Sequence, residues 1–252
     1  MIIYFTGTHN SEYVANIIKE ETNDQIICAN DYIKASEKGI FNSDKPYIFV
    51  FPVYISTIPA IFRQFIEESS FNGNKNAYFI PTCAKTDGST PNSAIDLCKK
   101  TNLKYKGTNR IVMPQNYITL FNPTSKDIKK KQYENAIVEL KEICKAIKHE
   151  EKLNEIPRSN FEYIITKQVE ILYNKYIAKT KKFYATNACI GCGMCEKGCP
   201  TNTIKIKDGK PIWISKTCIH CFTCLNCCPK NAIEYGKMTI NKERHICPPY
   251  KK

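Results

Sequence analysis

Two cysteine runs of identical spacing constrain this chain more than anything else in it. Cys189-Ile-Gly-Cys192-Gly-Met-Cys195-Glu-Lys-Gly-Cys199-Pro200 is followed by Cys218-Ile-His-Cys221-Phe-Thr-Cys224-Leu-Asn-Cys227-Cys228-Pro229. Both read C-x2-C-x2-C-x3-C-P, the spacing that ligates [4Fe–4S] clusters in two-cluster ferredoxins. Three thiolates two residues apart wrap one loop around three corners of a cube. The proline then turns the chain, so the fourth cysteine faces the other cube. By that pattern Cys189, Cys192, Cys195 and Cys228 hold one cluster, and Cys218, Cys221, Cys224 and Cys199 hold the other. Zinc sites take four ligands, usually as two separated pairs, and account poorly for two such runs with proline at the same offset. Cys227 is out of register and is read as a free thiol, and His220 as a surface or supporting residue.

Nine of the fourteen cysteines lie between Cys189 and Cys228. No basic-flanked apolar leader opens the chain and no apolar run nears the ~18 residues that span a bilayer. The expected compartment is therefore the cytoplasm, where clustered thiols mean metal and not disulfides. The net charge is +13. Two four-thiolate clusters would remove about four of those charges, and no nucleic-acid motif accompanies the remainder, so nucleic-acid binding is not expected.

Residues 1–150 alternate short apolar runs with helical patterns. Strands are expected at Ile2–Phe5, Gln25–Cys28, Tyr47–Phe51, Ala77–Ile80 and up to Met113. Helices are expected at Glu12–Glu21, Pro59–Glu68, Asn92–Lys100 and Lys126–His149, the last with Ile128, Leu140, Ile143 and Ile147 in its buried stripe and Thr124 and Asp127 capping its start. Five interleaved strands imply α/β architecture: a doubly wound parallel sheet, with the order 2-1-3-4-5 as one of two common solutions. Residues 151–186 read as a helical connector, with Phe161, Ile164, Ile165, Gln168, Val169, Leu172, Tyr173, Tyr176 and Ile177 packing one face on a domain. Residues 187–252 are a small α+β unit with short strands at Ile204–Lys207, Ile212–Ile214, Ala232–Tyr235 and Met238–Asn241. A unit so small and poor in apolar residues needs its clusters for stability.

At the first strand–helix junction stands Thr6-Gly7-Thr8-His9-Asn10-Ser11, a hydroxyl-rich loop where free amides and the helix dipole suit a phosphate. It is neither a Walker A motif nor a dinucleotide G-x-G-x-x-G. A capped helix start with no ligand is the alternative.

On these residues, on Phe51-Pro52-Val53-Tyr54, on Pro81 through Gly88, on Met113 through Tyr117 and on both cysteine runs, the chain resembles the fused flavodoxin–ferredoxin electron-transfer proteins of anaerobic bacteria. The resemblance implies a flavodoxin-like domain binding FMN, the connector, and a two-cluster ferredoxin domain. It implies that Thr6, Gly7, Thr8, His9, Asn10 and Ser11 hold the FMN phosphate. Pro52, Val53, Tyr54, Ile55 and Ser56 would lie along one side of the isoalloxazine, and Thr82, Cys83, Ala84, Lys85, Asp87 and Gly88 would border the other. Asn116 and Tyr117 would close the pocket. The flavodoxin pattern has glycine where this chain has His9. Glycine there allows a positive φ that histidine visits only at a cost, and His9 either adds a contact to the phosphate or weakens FMN binding.

The function expected is electron transfer between two [4Fe–4S] clusters and FMN, coupling one-electron carriers to a two-electron acceptor. The alternatives are an FMN-dependent reductase of a small organic substrate and a ferredoxin module tethered to a flavin-free, partner-binding domain. No nucleophile–base or paired-carboxylate arrangement is visible. Excess lysine in residues 187–252, including Lys205, Lys207, Lys210 and Lys216, suits docking to an acidic redox carrier such as a ferredoxin or flavodoxin. A homodimer would shorten the distance between flavin and clusters.

Overall fold

The computed structural model describes residues 1–154 and 159–250; residues 155–158 of the connector and 251–252 lie outside these. The first region runs β1 (Ile2–Tyr4), α1 (Asn10–Thr22), β2 (Ile26–Cys28), α2 (Ala29–Ala35), β3 (Ile40–Ser43), β4 (Tyr47–Pro52), α3 (Ala60–Glu68), β5 (Ser70–Gly73), β6 (Asn76–Cys83), α4 (Thr90–Thr101), β7 (Lys104–Thr108), β8 (Ile111–Val112) and α5 (Lys126–Lys148). All pairings in its main sheet are parallel, in the order β2-β1-β4-β6-β7, with β8 beside β6. Counted along the chain this is the flavodoxin-like order 2-1-3-4-5. The expected fifth strand is two pieces, because β7 and β8 pair with successive stretches of β6. A side pair β3–β5 and helix α2 were not expected.

The period-2 alternation of the strands builds two different cores. Ile2, Tyr4, Ile48, Val50, Tyr78 and Ile80 face α1 and α5. Ile3, Phe5, Phe49, Phe51 and Phe79 face α3 and α4, where Phe62, Phe65 and Leu97 close over them. Phe49 and Phe79 stack with centroids 5.1 Å apart. Truncating such a buried ring costs about 3–5 kcal/mol. In α5, Leu140, Ile143 and Ile147 are buried as expected, but Ile128 is half-exposed. The helix starts after Ser125 without a side-chain cap; Thr124 instead accepts from the Gln115 amide at 2.9 Å.

The chain continues through α6 (Asn160–Leu172) into a π-helical turn, Tyr173–Ile177, then β9 (Phe183–Ala185), α7 (Met194–Lys197), β10 (Ile204–Lys207), β11 (Lys210–Trp213), α8 (Thr223–Asn226) and β12 (Ile233–Tyr235). The two antiparallel pairs are β10–β11 and β9–β12. Residues 238–241 form no strand; β12 pairs instead with β9, from the end of the connector.

Helix α6 corrects the connector reading. Its polar residues face the domain: Tyr163 and Lys167 reach Asp96 at 2.7 and 3.2 Å, the Thr166 and Ser89 hydroxyls meet at 3.0 Å, and Glu170 pairs with Arg63 at 2.9 Å. Of the apolar residues expected to pack, Phe161, Ile164, Ile165, Val169, Leu172, Tyr176 and Ile177 are exposed, and Tyr173 is half-buried. Helical period fixes which residues share a face but not which face turns inward, and here four hydrogen-bonded side chains outweigh the apolar stripe.

The two regions are stitched together. Ile118 of the first belongs to the small core of the second, with Phe183, Ile204, Phe222, Leu225 and Tyr235. The Asn226 amide donates to the Asn116 carbonyl at 3.2 Å, Lys242 to the Ile118 carbonyl at 2.7 Å, and the Cys247 N–H to the Thr8 carbonyl at 3.0 Å.

Candidate functional site

The folding of the second region gathers the cysteines into two cages. Cys189, Cys192 and Cys195 line one cavity together with Cys228 of the other run. Cys218, Cys221 and Cys224 line a second together with Cys199. Each loop has left-handed backbone at the residues just before and just after its middle cysteine. In the first loop these are Gly191 (φ 67°) and Gly193 (φ 74°), while in the second they are His220 (φ 52°) and Phe222 (φ 54°). Left-handed backbone costs a non-glycine residue about 1–2 kcal/mol, and here burial holds it: His220 and Phe222 are 4% and 2% exposed.

Burial lifts the Cys218 thiol to about 12 and the Cys221 thiol to about 11, with neighbouring cysteines adding to both, and raises Cys224 well above its ordinary value. Buried sulfurs so arranged ionise only against strong positive charge, which an iron core supplies. The donor set therefore fits iron–sulfur clusters.

The two cages differ in outlook. Cys192 is exposed and its neighbours Ile190 and Met194 are 60% and 48% exposed. Ile219, Cys221 and Phe222 of the second cage also line a large cleft. Most of the remaining cleft wall comes from the carboxyl ends of the sheet, namely Pro52–Ser56, Thr82–Thr86 and Pro114–Tyr117, from residues 119–125, and from Tyr173, Asn174 and Ile177 of the π turn. The cleft volume is about 1230 Å³, somewhat above the ~300–1,000 Å³ of a typical small-ligand pocket. A hydrogen-bonded chain runs from cleft to cage: Tyr117 Oη to Tyr173 Oη at 2.7 Å, then Tyr173 Oη to His220 Nδ1 at 2.8 Å. Burial lowers the His220 imidazole below its ordinary value, which keeps it neutral near pH 7.

The hydroxyl-rich loop lies under the second cage. Its side chains are engaged within the protein: Thr8 accepts from Asn116, Asn10 donates to the Pro114 carbonyl at 2.9 Å, and Ser11 shares a bond with Thr82 at 2.8 Å. The Gly7 carbonyl accepts from Thr223 at 2.9 Å, and a Cβ on Gly7 would stand 2.7 Å from the Cys221 carbonyl oxygen. Gly7 is thus demanded by the approach of the second cysteine loop. His9 takes the left-handed conformation (φ 69°). Its ring meets Glu12 at 2.5 Å and Cys227 Sγ at 3.9 Å, and Cys227 and Glu12 raise it to about 10. Among the described residues, the N–H groups of residues 7–12 make no hydrogen bond, and the first helical bond of α1 runs from the Tyr13 N–H to the His9 carbonyl at 2.9 Å. Buried amides without acceptors are an anion seat.

Of the loop residues, only Asn10 lines the cleft. Pro52, Val53, Tyr54, Ile55, Ser56, Thr82, Cys83, Ala84, Lys85, Asn116 and Tyr117 all line it, but Asp87 and Gly88 do not. Asp87 is buried, and Gly88 packs on Ser56, which ties the two loops together. Unpartnered amides and loops flanking a wide cleft fit FMN; the burial of Thr6, Gly7 and Thr8 makes its fit tighter than in an open loop. The sequence reading missed Tyr173, Phe222 and the connecting role of His220. A histidine and a phenylalanine at glycine positions of a repeated loop are the signal that could have found two of them.

Residues 188–233 match the 4Fe-4S dicluster domain. No curated protein matches the chain. Among solved structures it is similar to a short-chain flavodoxin associated with a non-canonical PDU bacterial microcompartment, at 18% identity over 56% of this chain and 96% of that one, TM-score 0.31. It is also similar to an NAD(P)H:quinone oxidoreductase from Methanothermobacter marburgensis, at 10% identity over 62% and 98%, TM-score 0.33. Likenesses of this degree carry no argument, and the α/β fold stands on its strand order. The chain joins a parallel α/β domain of flavodoxin-like order to a 4Fe–4S dicluster domain.

Proposed function

We propose that this chain is an electron-transfer protein in which two [4Fe–4S] clusters serve a flavin held in the interdomain cleft. The observation that carries the reading is the wall shared by the second cysteine cage and the cleft, formed by Ile219, Cys221 and Phe222. The clusters supply one-electron transfer, and FMN supplies exchange with a two-electron acceptor. Cys189, Cys192, Cys195 and Cys228 would hold the first cluster, and Cys199, Cys218, Cys221 and Cys224 the second. The free amides of residues 7–12 would hold the phosphate, and Pro52–Ser56 and Thr82–Lys85 would flank the ring. Phe222 and Tyr117, whose rings meet edge-on at 5.0 Å, keep water from the wall between cage and cleft. With Cys221 reaching the cleft, no second copy is needed to bring flavin and cluster together.

A reductase of a small organic substrate is the second reading, favoured by a cleft larger than a flavin requires. An acidic carrier protein would exchange electrons at the exposed first cage.

The test is anaerobic titration of the iron-loaded chain with FMN, followed by flavin fluorescence. Stoichiometric quenching, lost when Asn10→Asp places a negative charge beside the anion seat, supports the reading. No binding at any FMN concentration would assign the α/β domain to partner binding alone.

A further inference from the structure

The inverted helix α6 is the feature that electron transfer leaves unexplained. Phe161, Ile164, Ile165, Val169, Leu172 and Tyr176 are 71%, 59%, 46%, 47%, 54% and 64% exposed. Together they leave on the order of 700 Å² of apolar surface in one stripe, above the ~300–600 Å² of the largest patch on an ordinary monomer. The opposite face is committed: Tyr163, Thr166, Lys167 and Glu170, at i, i+3, i+4 and i+7, are hydrogen-bonded to Asp96, Ser89 and Arg63. The helix cannot roll its apolar side inward without breaking all of these.

We infer that a second copy of this chain covers the stripe, the two α6 helices lying antiparallel across a two-fold axis near Gln168. Three observations select a copy over another partner. The patch matches the ~800 Å² that each side contributes to a standard interface. Its midpoint, between Phe161 and Tyr176, falls at Gln168, the one polar residue on the face, which is exposed. A side-chain amide offers both donor and acceptor, so it pairs with its own copy where a two-fold axis passes. Glu162 lies near the start of the stripe and Lys175 near its end, both exposed. Antiparallel pairing sets each beside its opposite charge in the other copy, and opposes the two helix dipoles.

The inference is independent of the flavin. It is tested by sedimentation equilibrium of the full, iron-loaded chain. The wild type is expected to dimerise, and Ile165→Glu with Leu172→Glu to sediment as a monomer with unchanged iron content and visible absorbance. Gln168→Glu and Gln168→Lys each place like charges across the axis and should raise the dimer dissociation constant about a hundredfold. Mixing these two variants should restore the dimer. A wild-type monomer at all concentrations would overturn the inference. So would a dimer indifferent to all four substitutions, or co-sedimentation with anionic phosphatidylserine vesicles in place of self-association.

Discussion

The two cysteine loops share every spacing and little of their surroundings. The first fills its left-handed positions with Gly191 and Gly193, leaves Cys192, Ile190 and Met194 in solvent, and packs Gly191 under the β10–β11 turn that carries Lys207 and Lys210. The second fills the same positions with His220 and Phe222 and buries both in the seam between the regions. One loop is built for cheap backbone and open access. The other accepts strained backbone because its two rings anchor the small core and close the wall against the cleft. Ligand spacing sets what a cage can hold; the residues between the ligands set what it can touch.

The largest break in this comparison is expected from Phe222→Ala. Losing a 2% exposed ring from the small core should cost about 3–5 kcal/mol, read as a lower denaturation midpoint of the iron-loaded chain. Relief of left-handed strain recovers little, since alanine shares it. Next comes a contrast within the first loop. Gly191→Ala adds a Cβ 2.6 Å from the Gly209 carbonyl oxygen, whereas Gly193→Ala meets nothing within 4 Å. The first should cost about 2–4 kcal/mol and the second only the conformational ~1–2 kcal/mol. Equal costs for the two would refute the packing of the hairpin on the loop.

His245 sharpens the seam. It is 3% exposed, bonds Asn10 at 3.2 Å, and burial, then Lys129, lowers it to about 4. A group with a depressed folded pKa is neutral in the fold, so its contribution is intact above the unfolded value near 6.5 and is lost as pH falls from there toward 4. Acidification to pH 5 should weaken docking of the C-terminal segment by about 2 kcal/mol, seen as faster amide exchange in residues 245–250. A His245→Gln chain should lack this dependence. The smallest effect concerns access: Lys207→Glu with Lys210→Glu should slow reduction by an acidic ferredoxin about fivefold and flatten its salt dependence. An unchanged rate would move docking away from the first cage.

Much of this was legible in the sequence, for physical reasons. Strand positions followed from short apolar runs, because a parallel sheet buried on both faces leaves continuous β-branched and aromatic stretches such as Tyr47–Phe51, whereas the order 2-1-3-4-5 was one of two common solutions. The grouping of cysteines followed from spacing alone. What escaped was long-range. That Gly7 serves the Cys221 carbonyl, that α6 turns its apolar face outward, and that Tyr173 leaves helical register in a π turn to meet His220 all depend on partners distant in sequence. His9 was legible as an oddity. Its positive φ was readable from the missing glycine, but its contacts with Glu12 and Cys227 were not.

The most direct test of the central claim is the iron and acid-labile sulfide content of anaerobically purified protein, for the wild type and for Cys199→Ala. Two crosswise-held [4Fe–4S] clusters predict about eight of each per chain in the wild type. Because Cys199 lies in the first run but lines the second cage, its loss should disturb the second cluster and leave the first. Wild-type iron near four or below, under strict exclusion of oxygen, would contradict the account.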